Sequence, residues 1–254
     1  MKNKYCLILS SVILFAGLVP GYSQPGRAPA MPQMSGHMAK LFGGISAYSA
    51  TMETQSTDGS GNTMTMPGKI FSLDGKTRVE SDMAKMKSGN LSPDTAEQMK
   101  AMGMDSMVMI SRPDKKISYL IYPGLQAYAA NPMQDREATA ATANYKVETT
   151  ELGKDTVDGH PCVKTKFIVT DDQGTKHESV VWNATDLKKF PVKIETVQQG
   201  RTMTMLFKDV NLAKPEASLF EPPSDYTKYD SLQAMMQAVM MKRMGGMSMP
   251  PAGH

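Results

Sequence analysis

Apolar and polar residues alternate along much of this chain, in short runs separated by turn residues. Period-two alternation predicts β-strands with one wet face and one apolar face. Asp74-Gly75 stands between two such runs, and an Asp-Gly pair is typical of a type I′ hairpin turn. Successive hairpins without a βαβ rhythm favour an antiparallel sheet. The predicted strands are residues 47–55, 63–73, 76–82, 107–111, 117–122, 162–170, 177–182, 192–197 and 202–210.

Two segments have helical patterns instead. Ser92 followed by Pro93 is a helix start signal, so residues 92–102 are predicted to be helical. In residues 230–244, the apolar side chains fall on one helical face, and Asp230 is a candidate N-cap. A large one-sided sheet must cover its apolar face, and this methionine-rich C-terminal helix is the natural cover.

The N-terminus has the three-part layout of a secretory signal peptide. Two lysines precede an apolar run over residues 6–19, and the small residues Gly21 and Ser23 suit cleavage after Ser23. The run has 14 residues, fewer than the ~20 that a membrane-spanning helix needs. We therefore expect residues 1–23 to be removed and the protein to be exported, to the periplasm of a Gram-negative-type envelope or out of the cell.

Three further regions follow the signal peptide. Residues 24–44 are rich in Pro, Gly and Met and are predicted to form a disordered lead, with a short helix near residues 38–43. The β domain is expected over residues 45–229. Residues 230–254 are expected to form the C-terminal helix and a flexible tail.

Charge and composition narrow the possible functions. The formal net charge is +3, or +1 without the two signal-peptide lysines, and no basic cluster occurs, so no nucleic-acid partner is expected. Removal of the signal peptide leaves Cys162 as the one cysteine, so the mature chain must fold without an internal disulfide. Methionine is the outlier, with 24 residues against 7 Phe and 1 Trp. Its flexible thioether suits irregular cores and adaptable apolar surfaces.

Short motifs over about residues 47–229 resemble the outer-membrane lipoprotein carrier (LolA/LolB-like) superfamily, in particular its uncharacterised exported branches. The motifs are Gly75-Lys76-Thr77-Arg78-Val79-Glu80, Ile110-Ser111-Arg112-Pro113-Asp114-Lys115-Lys116, Tyr119-Leu120-Ile121-Tyr122-Pro123 with Tyr128, Trp182, Phe190-Pro191-Val192-Lys193-Ile194-Glu195 and Phe220-Glu221-Pro222-Pro223. The resemblance implies a mainly β fold, a strongly curved antiparallel half-barrel of about eleven strands with helices covering its concave face. In the carriers that face holds acyl chains. The resemblance also implies an arginine that ties a lid shut, for which Arg78 is the nearest candidate by position.

The strand faces locate a candidate ligand cavity. The tetrapeptide Thr-Met-Thr-Met occurs at residues 63–66 and again at 202–205, and in each copy the two methionines share a face. In a closed sandwich the same pattern would be plain core, so the expectation depends on an open, curved sheet. The expected lining residues are Met64, Met66, Phe71, Met203, Met205, Phe207, Met235, Met236 and Met240.

Two other groups of residues are candidates for chemistry. His160-Pro161-Cys162 places a thiol near an imidazole, although a turn that leads Cys162 into the core explains the triplet better. Thioethers select Cu(I), so the chain terminus is an alternative metal site. Its ligands would be Met244, Met247, Met249 and His254.

The sequence thus predicts a non-catalytic envelope protein that needs no cofactor and binds a hydrophobic small molecule, a lipid or a lipoprotein in a cavity of its curved sheet. Peripheral contact with a membrane is compatible with this function. The alternatives are a Met/His-rich copper(I)-handling protein and a structural envelope β-protein without a ligand.

Overall fold

The computed structural model describes residues 36–88, 93–134, 138, 145–171, 173–198 and 200–246, and the counts below refer to them. The predicted signal peptide and residues 24–35 of the predicted lead lie outside this part of the chain. None of the described helices is long and apolar enough to cross a membrane.

Thirteen strands form one large, open, curved sheet. Their bounds are β1 Ala47–Thr57, β2 Thr63–Leu73, β3 Lys76–Asp82, β4 Lys87–Ser88, β5 Ser106–Arg112, β6 Ile117–Tyr122, β7 Ala127–Pro132, β8 Lys146–Val157, β9 His160–Thr170, β10 Lys176–Ala184, β11 Phe190–Gln198, β12 Arg201–Asn211 and β13 Thr227–Tyr229. Three α-helices accompany the sheet, α1 Gly36–Lys40, α2 Pro93–Ala101 and α3 Leu232–Gly246. Short 3₁₀ helices span Met83–Lys85, Pro113–Lys115, Pro123–Leu125 and Ala217–Phe220.

The strand order is β13-β7-β6-β5-β3-β2-β1-β12-β11-β10-β9-β8, with β4 beside β2. Every pair is antiparallel except β13 with β7. Because β1 pairs with both β2 and β12, the N-terminal and C-terminal halves of the sheet meet at β1. The two Thr-Met-Thr-Met segments therefore become neighbours of one strand.

The predicted fold class is confirmed, and the hairpin turn at Asp74-Gly75 has the positive φ angles that its sequence predicts, 50° and 83°. The strand count of about eleven was too low. β4 and β13 have two and three residues, too few to show alternation in the sequence. β7 and β8 were also missed, because β7 is short and rich in small alanines, whereas both faces of β8 are largely exposed and show no apolar alternation.

Apolar residues pack in two clusters on opposite faces of the sheet. β2 contributes Ile70 to the first cluster and Leu73 to the second, and residues of opposite parity on a strand point to opposite faces. The first cluster contains α1 residues and the inward residues of β1, β10, β11 and β12, and its fully buried members include Tyr48, Val181, Phe190, Ile194 and Phe207. The second consists of Leu73, Val108, Ile110, Ile121 and Phe220.

Helix α1 belongs to the core of the sheet domain. The buried side chains of Met38, Leu41 and Phe42 join the first cluster, and the Phe42 ring stacks on Tyr48 with 5.1 Å between centroids. Residues 36–44, assigned to the lead by the sequence analysis, therefore include a short helix that covers one face of the sheet. A five-residue helix is not stable alone, so tertiary packing maintains it.

Helix α3 lies at one edge of the sheet, where it packs against β7 and β13. Its first turn is capped by Ser231, whose Oγ accepts a hydrogen bond from the Ala234 N–H at 3.1 Å. The predicted cap, Asp230, lies one residue earlier. Met235 is fully buried, whereas Met240 and Met241 are 64% and 74% exposed.

Candidate functional site

The methionines of the sheet converge because of strand register. Thr54 of β1 lies opposite Met66 of β2 and Met205 of β12. Two residues farther along β1, Ser56 lies opposite Met64 of β2 and Met203 of β12 in the same way. Residues directly opposite each other in a sheet share a face, so the two Thr-Met-Thr-Met segments form two parallel rows across β1.

The same face continues onto β3 and β5. Met52 lies opposite Phe207 and Gly68, Gly68 lies opposite Ser81, and Ser81 lies opposite Met107. Met109 follows two residues later in β5. We define the methionine face as the surface formed by seven methionines of β1, β2, β5 and β12, namely Met52, Met64, Met66, Met107, Met109, Met203 and Met205.

Exposure changes along the methionine face. Met66 and Met205, in the row of Thr54, are 7% and 4% exposed. Met64 and Met203, in the next row toward the β1–β2 hairpin, are half-buried. The residues between the methionine pairs, Thr54 and Ser56, have smaller side chains. Access to this surface is therefore greater at its hairpin end.

The structure does not bring every predicted cavity residue to this face. Phe71 is of opposite parity to Met64 and Met66 on β2 and packs with the second cluster. Met235 and Met236 belong to α3 at the β7–β13 edge, and Met240 on that helix is exposed. Their part in a ligand cavity stays a prediction, whereas Met64, Met66, Met203, Met205 and Phe207 share one face.

On the opposite face, a segment that we call the strap, residues 216–221, packs against β3 and β5. Phe220 of the strap is fully buried in the second cluster. Buried Arg112 donates to the Phe220 carbonyl at 3.2 Å and forms an ion pair with Glu221. Its guanidinium also binds both carboxylate oxygens of Asp114, at 2.8 and 2.7 Å. These hydrogen bonds, above all those that Arg112 donates to Asp114, raise the pKa of Arg112 above its ordinary value although burial opposes them.

Arg78 holds the strap from the neighbouring strand. Its Nη1 donates to the Leu219 carbonyl at 3.0 Å, and its Nε donates to Glu80 at 2.7 Å. Arg78 therefore ties the strap to β3, and its equivalence to the lid arginine of the carriers stays a prediction. Arg78 also borders a groove of about 550 Å³, whose wall includes Lys69, Asp82 and Pro123.

A second groove, of about 570 Å³, surrounds Cys162 and has Lys154, Asp155 and Thr185 on its walls. The Cys162 thiol is buried and donates to the main-chain carbonyl of His160 at 3.3 Å. Burial raises the pKa of this thiol, which disfavours the nucleophilic thiolate.

The neighbouring aromatic and imidazole groups are engaged in contacts of their own. The His160 ring contacts Asp186 at 2.8 Å. Trp182 donates to Asp155 at 2.8 Å, and the ammonium groups of Lys164 and Lys193 lie 4.8 and 4.1 Å from its ring centroid. The arrangement is typical of structural packing.

Helix α1 is attached to the sheet by a histidine stack. The rings of His37 and His177 lie 4.0 Å apart and are parallel within 4°. The His177 ring also contacts Asp171 at 3.3 Å. Burial, reinforced by the nearby His177, lowers the pKa of His37 to about 4, so the ring is neutral at pH 7.

No group of three or more His, Cys, Asp or Glu side chains is placed to hold a metal ion in the described ranges. The side chain of Met244 and residues 247–254 lie outside them, so the copper ligands proposed from the sequence stay a prediction. Sequence reasoning did not place Met52, Met107 and Met109 on the candidate ligand surface. Their alternation was visible, but only the strand order shows that they extend the surface of the Thr-Met-Thr-Met segments.

No protein-family model matches the chain, and no curated protein matches it. Several solved structures are similar to it at low sequence identity. The lipoprotein LppX of Mycobacterium tuberculosis is 9% identical over 70% of this chain and 93% of its own, with a TM-score of 0.40. LprF of Mycobacterium bovis is 11% identical over 74% of this chain and 96% of its own, with a TM-score of 0.38.

A third similar structure comes from Nitrosomonas europaea and is a LolA superfamily protein. It is 8% identical over 74% of this chain and 96% of its own, with a TM-score of 0.34. The similar structures thus include a member of the superfamily that the sequence motifs resemble.

Proposed function

We propose that this protein is a non-catalytic protein of the bacterial envelope that binds a hydrophobic ligand against the methionine face. The ligand class is an acyl chain, free or as part of a lipid or lipoprotein. The observation that carries the proposal is the register that gathers seven methionines from four strands onto one face.

Burial of hydrocarbon would supply the binding free energy. Each methylene removed from water contributes about 0.8 kcal/mol, so ten would contribute about 8 kcal/mol before the costs of association. Because the costs of association are subtracted from this sum, a dissociation constant of about 1 μM is the tightest that ten methylenes can supply. Methionine suits such a surface because its unbranched side chain adapts to chains of different length and shape.

The graded exposure of the methionines supports a direction of entry. Half-buried Met64 and Met203 lie toward the β1–β2 hairpin, whereas Met66 and Met205 are buried one step farther in. A ligand that enters from the hairpin end would first contact the outer pair.

Native mass spectrometry of the mature protein, purified from its own envelope, tests the proposal. We expect co-purified masses that match lipids or acyl chains. Replacing Met64 and Met203 together with Gln should weaken ligand retention about tenfold or more, because two apolar contacts become polar. A matched double variant, Met102→Gln with Met241→Gln, alters two exposed methionines outside the predicted lining and should retain the ligand.

Two results would contradict the proposal. If the mass of the wild-type protein showed no bound ligand, the proposed binding function would have no support. Equal ligand retention by both double variants would move any bound ligand away from the methionine face. A copper mass that disappears when Met244, Met247 and Met249 are replaced would instead favour metal handling.

A further inference from the structure

The methionine face contains one polar group that its surroundings leave without a partner. Thr54 is 6% exposed, and its Oγ1 is the one buried side-chain oxygen that makes no hydrogen bond within the described part of the chain. It stands between Met66 and Met205, with Met52 and Ser56 as its neighbours along β1 on the same face. The hydroxyl therefore lies at the centre of the proposed ligand surface.

An unpaired hydroxyl at this position is unfavourable for the free protein. Buried side-chain polar groups are normally hydrogen-bonded, and an unmade hydrogen bond in an apolar setting is costly. The thioether sulfurs on either side of Thr54 are weak acceptors and replace a normal partner poorly. Valine has nearly the same shape as threonine, so packing alone does not require a hydroxyl here.

We propose that Thr54 is a specificity-determining residue and that its hydroxyl donates a hydrogen bond to the carbonyl oxygen of a bound acyl ester. This inference rests on the proposed function and narrows its ligand class. An apolar molecule without an acceptor would leave the hydroxyl unpaired, whereas an acyl ester would satisfy it and bury its hydrocarbon chain against the methionines.

The charge of the surroundings selects an ester over an ionised carboxylate. The two rows that contain Thr54 and Ser56 continue across the sheet into β11, where Ile194 and Thr196 lie opposite Met205 and Met203. From β2 to β11, every side chain in these rows is uncharged, so nothing in this part of the rows offsets the desolvation of an anion. A neutral carbonyl oxygen is the acceptor that this surface accommodates.

Paired probes of equal chain length test the inference on the mature protein. Methyl octanoate and decane would each be titrated against bound N-phenyl-1-naphthylamine, and its displacement followed by fluorescence. We expect Thr54→Val to weaken methyl octanoate about 3- to 10-fold, the size of one hydrogen bond, and to leave decane unchanged. Thr54→Ser should keep the preference for the ester.

The matched control is Thr65→Val. Thr65 belongs to the first Thr-Met-Thr-Met segment but lies opposite Gln55, on the other face of the sheet. Neither probe should change its affinity in this variant. A loss of ester affinity equal to that of Thr54→Val would show a general effect of the substitution and would overturn the inference.

The remaining outcomes separate this inference from the proposed function. If the wild type binds neither dye nor probe, both fail. If wild type and Thr54→Val bind methyl octanoate equally well, the hydrophobic site stands and the role of Thr54 is wrong. The melting temperature is an independent readout. It should be unchanged or higher in Thr54→Val, and a clear drop would mean that the hydroxyl already has a partner in the free protein.

Discussion

The two faces of the sheet are covered in different ways. On one face, α1 and the turn after it are held mainly by the burial of Met38, Leu41 and Phe42. On the other face, the strap is held by charge-assisted hydrogen bonds from Arg78 and Arg112. Apolar burial has no preferred direction, whereas guanidinium contacts fix distance and orientation. The α1 cover therefore tolerates shifts that the strap does not.

This difference agrees with the distribution of methionine. The methionine face shares its side of the sheet with α1, because Met52 and Met205 pack in the first cluster with Met38. The buried members of the second cluster are Leu, Val, Ile and Phe residues. An adaptable lining thus accompanies the cover that is held mainly by apolar burial, and a core of branched and aromatic side chains accompanies the cover that is held by guanidinium contacts.

Removal of a buried side chain in the turn after α1 should lower the stability of the protein most. Phe42→Ala removes a buried ring that contacts Tyr48, Phe190 and Phe207, so we expect the free energy of unfolding to fall by about 3–5 kcal/mol. Urea denaturation, monitored by circular dichroism, measures this free energy of unfolding. A loss below about 1 kcal/mol would mean that α1 opens locally and is not part of the cooperative unit.

Removal of the main strap contact should have the next largest effect. Arg112→Met keeps much of the side-chain volume but loses the bonds to Asp114, the Phe220 carbonyl and Glu221, so we expect destabilisation of about 2–3 kcal/mol. Arg112→Lys keeps the charge without the bidentate geometry and should recover only part of the loss. Full stability of Arg112→Met would show that apolar burial alone holds the strap.

Acidification should loosen the α1 cover before the strap. The pKa of His37 is lowered to about 4 in the folded state, so the unfolded state binds more protons between about pH 6.5 and 4. Stability should therefore fall as the pH decreases through this window, by on the order of 1 kcal/mol between pH 7 and 5 after allowance for partial exposure.

The variant His37→Gln separates this titration from the rest of the protein. It removes the ionisable group and should flatten the pH dependence between pH 7 and 5, as measured by urea midpoints. The carboxyl groups that bind Arg112, those of Asp114 and of Glu221 in the strap, have lowered pKa values and lose their contribution only at more acidic pH. An unchanged slope in His37→Gln would assign the effect to another group.

The smallest effect is expected at the rim of the strap. Lys115 pairs with Glu221 at 2.8 Å, but both side chains are largely exposed. Lys115→Ala should change the free energy of unfolding by less than about 1 kcal/mol. A larger loss would mean that the strap contacts act as one network, and a double-mutant cycle with Arg112→Met would measure the coupling.

Much of the sheet could be predicted from local pattern. The bounds of β2, β3 and β6 agree with the sequence, because apolar alternation and turn residues are encoded within each hairpin. Strand β8 could not be found in this way, since its exposed residues leave no one-sided pattern. The two-residue and three-residue strands exist only through their pairing with β2 and β7.

The candidate site was only partly visible for a different reason. The repeated Thr-Met-Thr-Met segment indicated Met64, Met66, Met203 and Met205, but not that β1 would lie between its two copies. Strand order depends on contacts between residues far apart in sequence, and it decides which methionines become neighbours. Thr54 had no local signal, because a threonine on a strand is ordinary until its neighbours are known.

The two rows of the methionine face also differ in their susceptibility to oxidants. Methionine is converted to its sulfoxide, a polar and chiral group, at rates that follow exposure. Half-buried Met64 and Met203 should therefore be oxidised before buried Met66 and Met205. Oxidation would proceed from the hairpin end inward and make the entrance polar while the interior stayed apolar, and enzymes that reduce methionine sulfoxide would reach the same outer pair first.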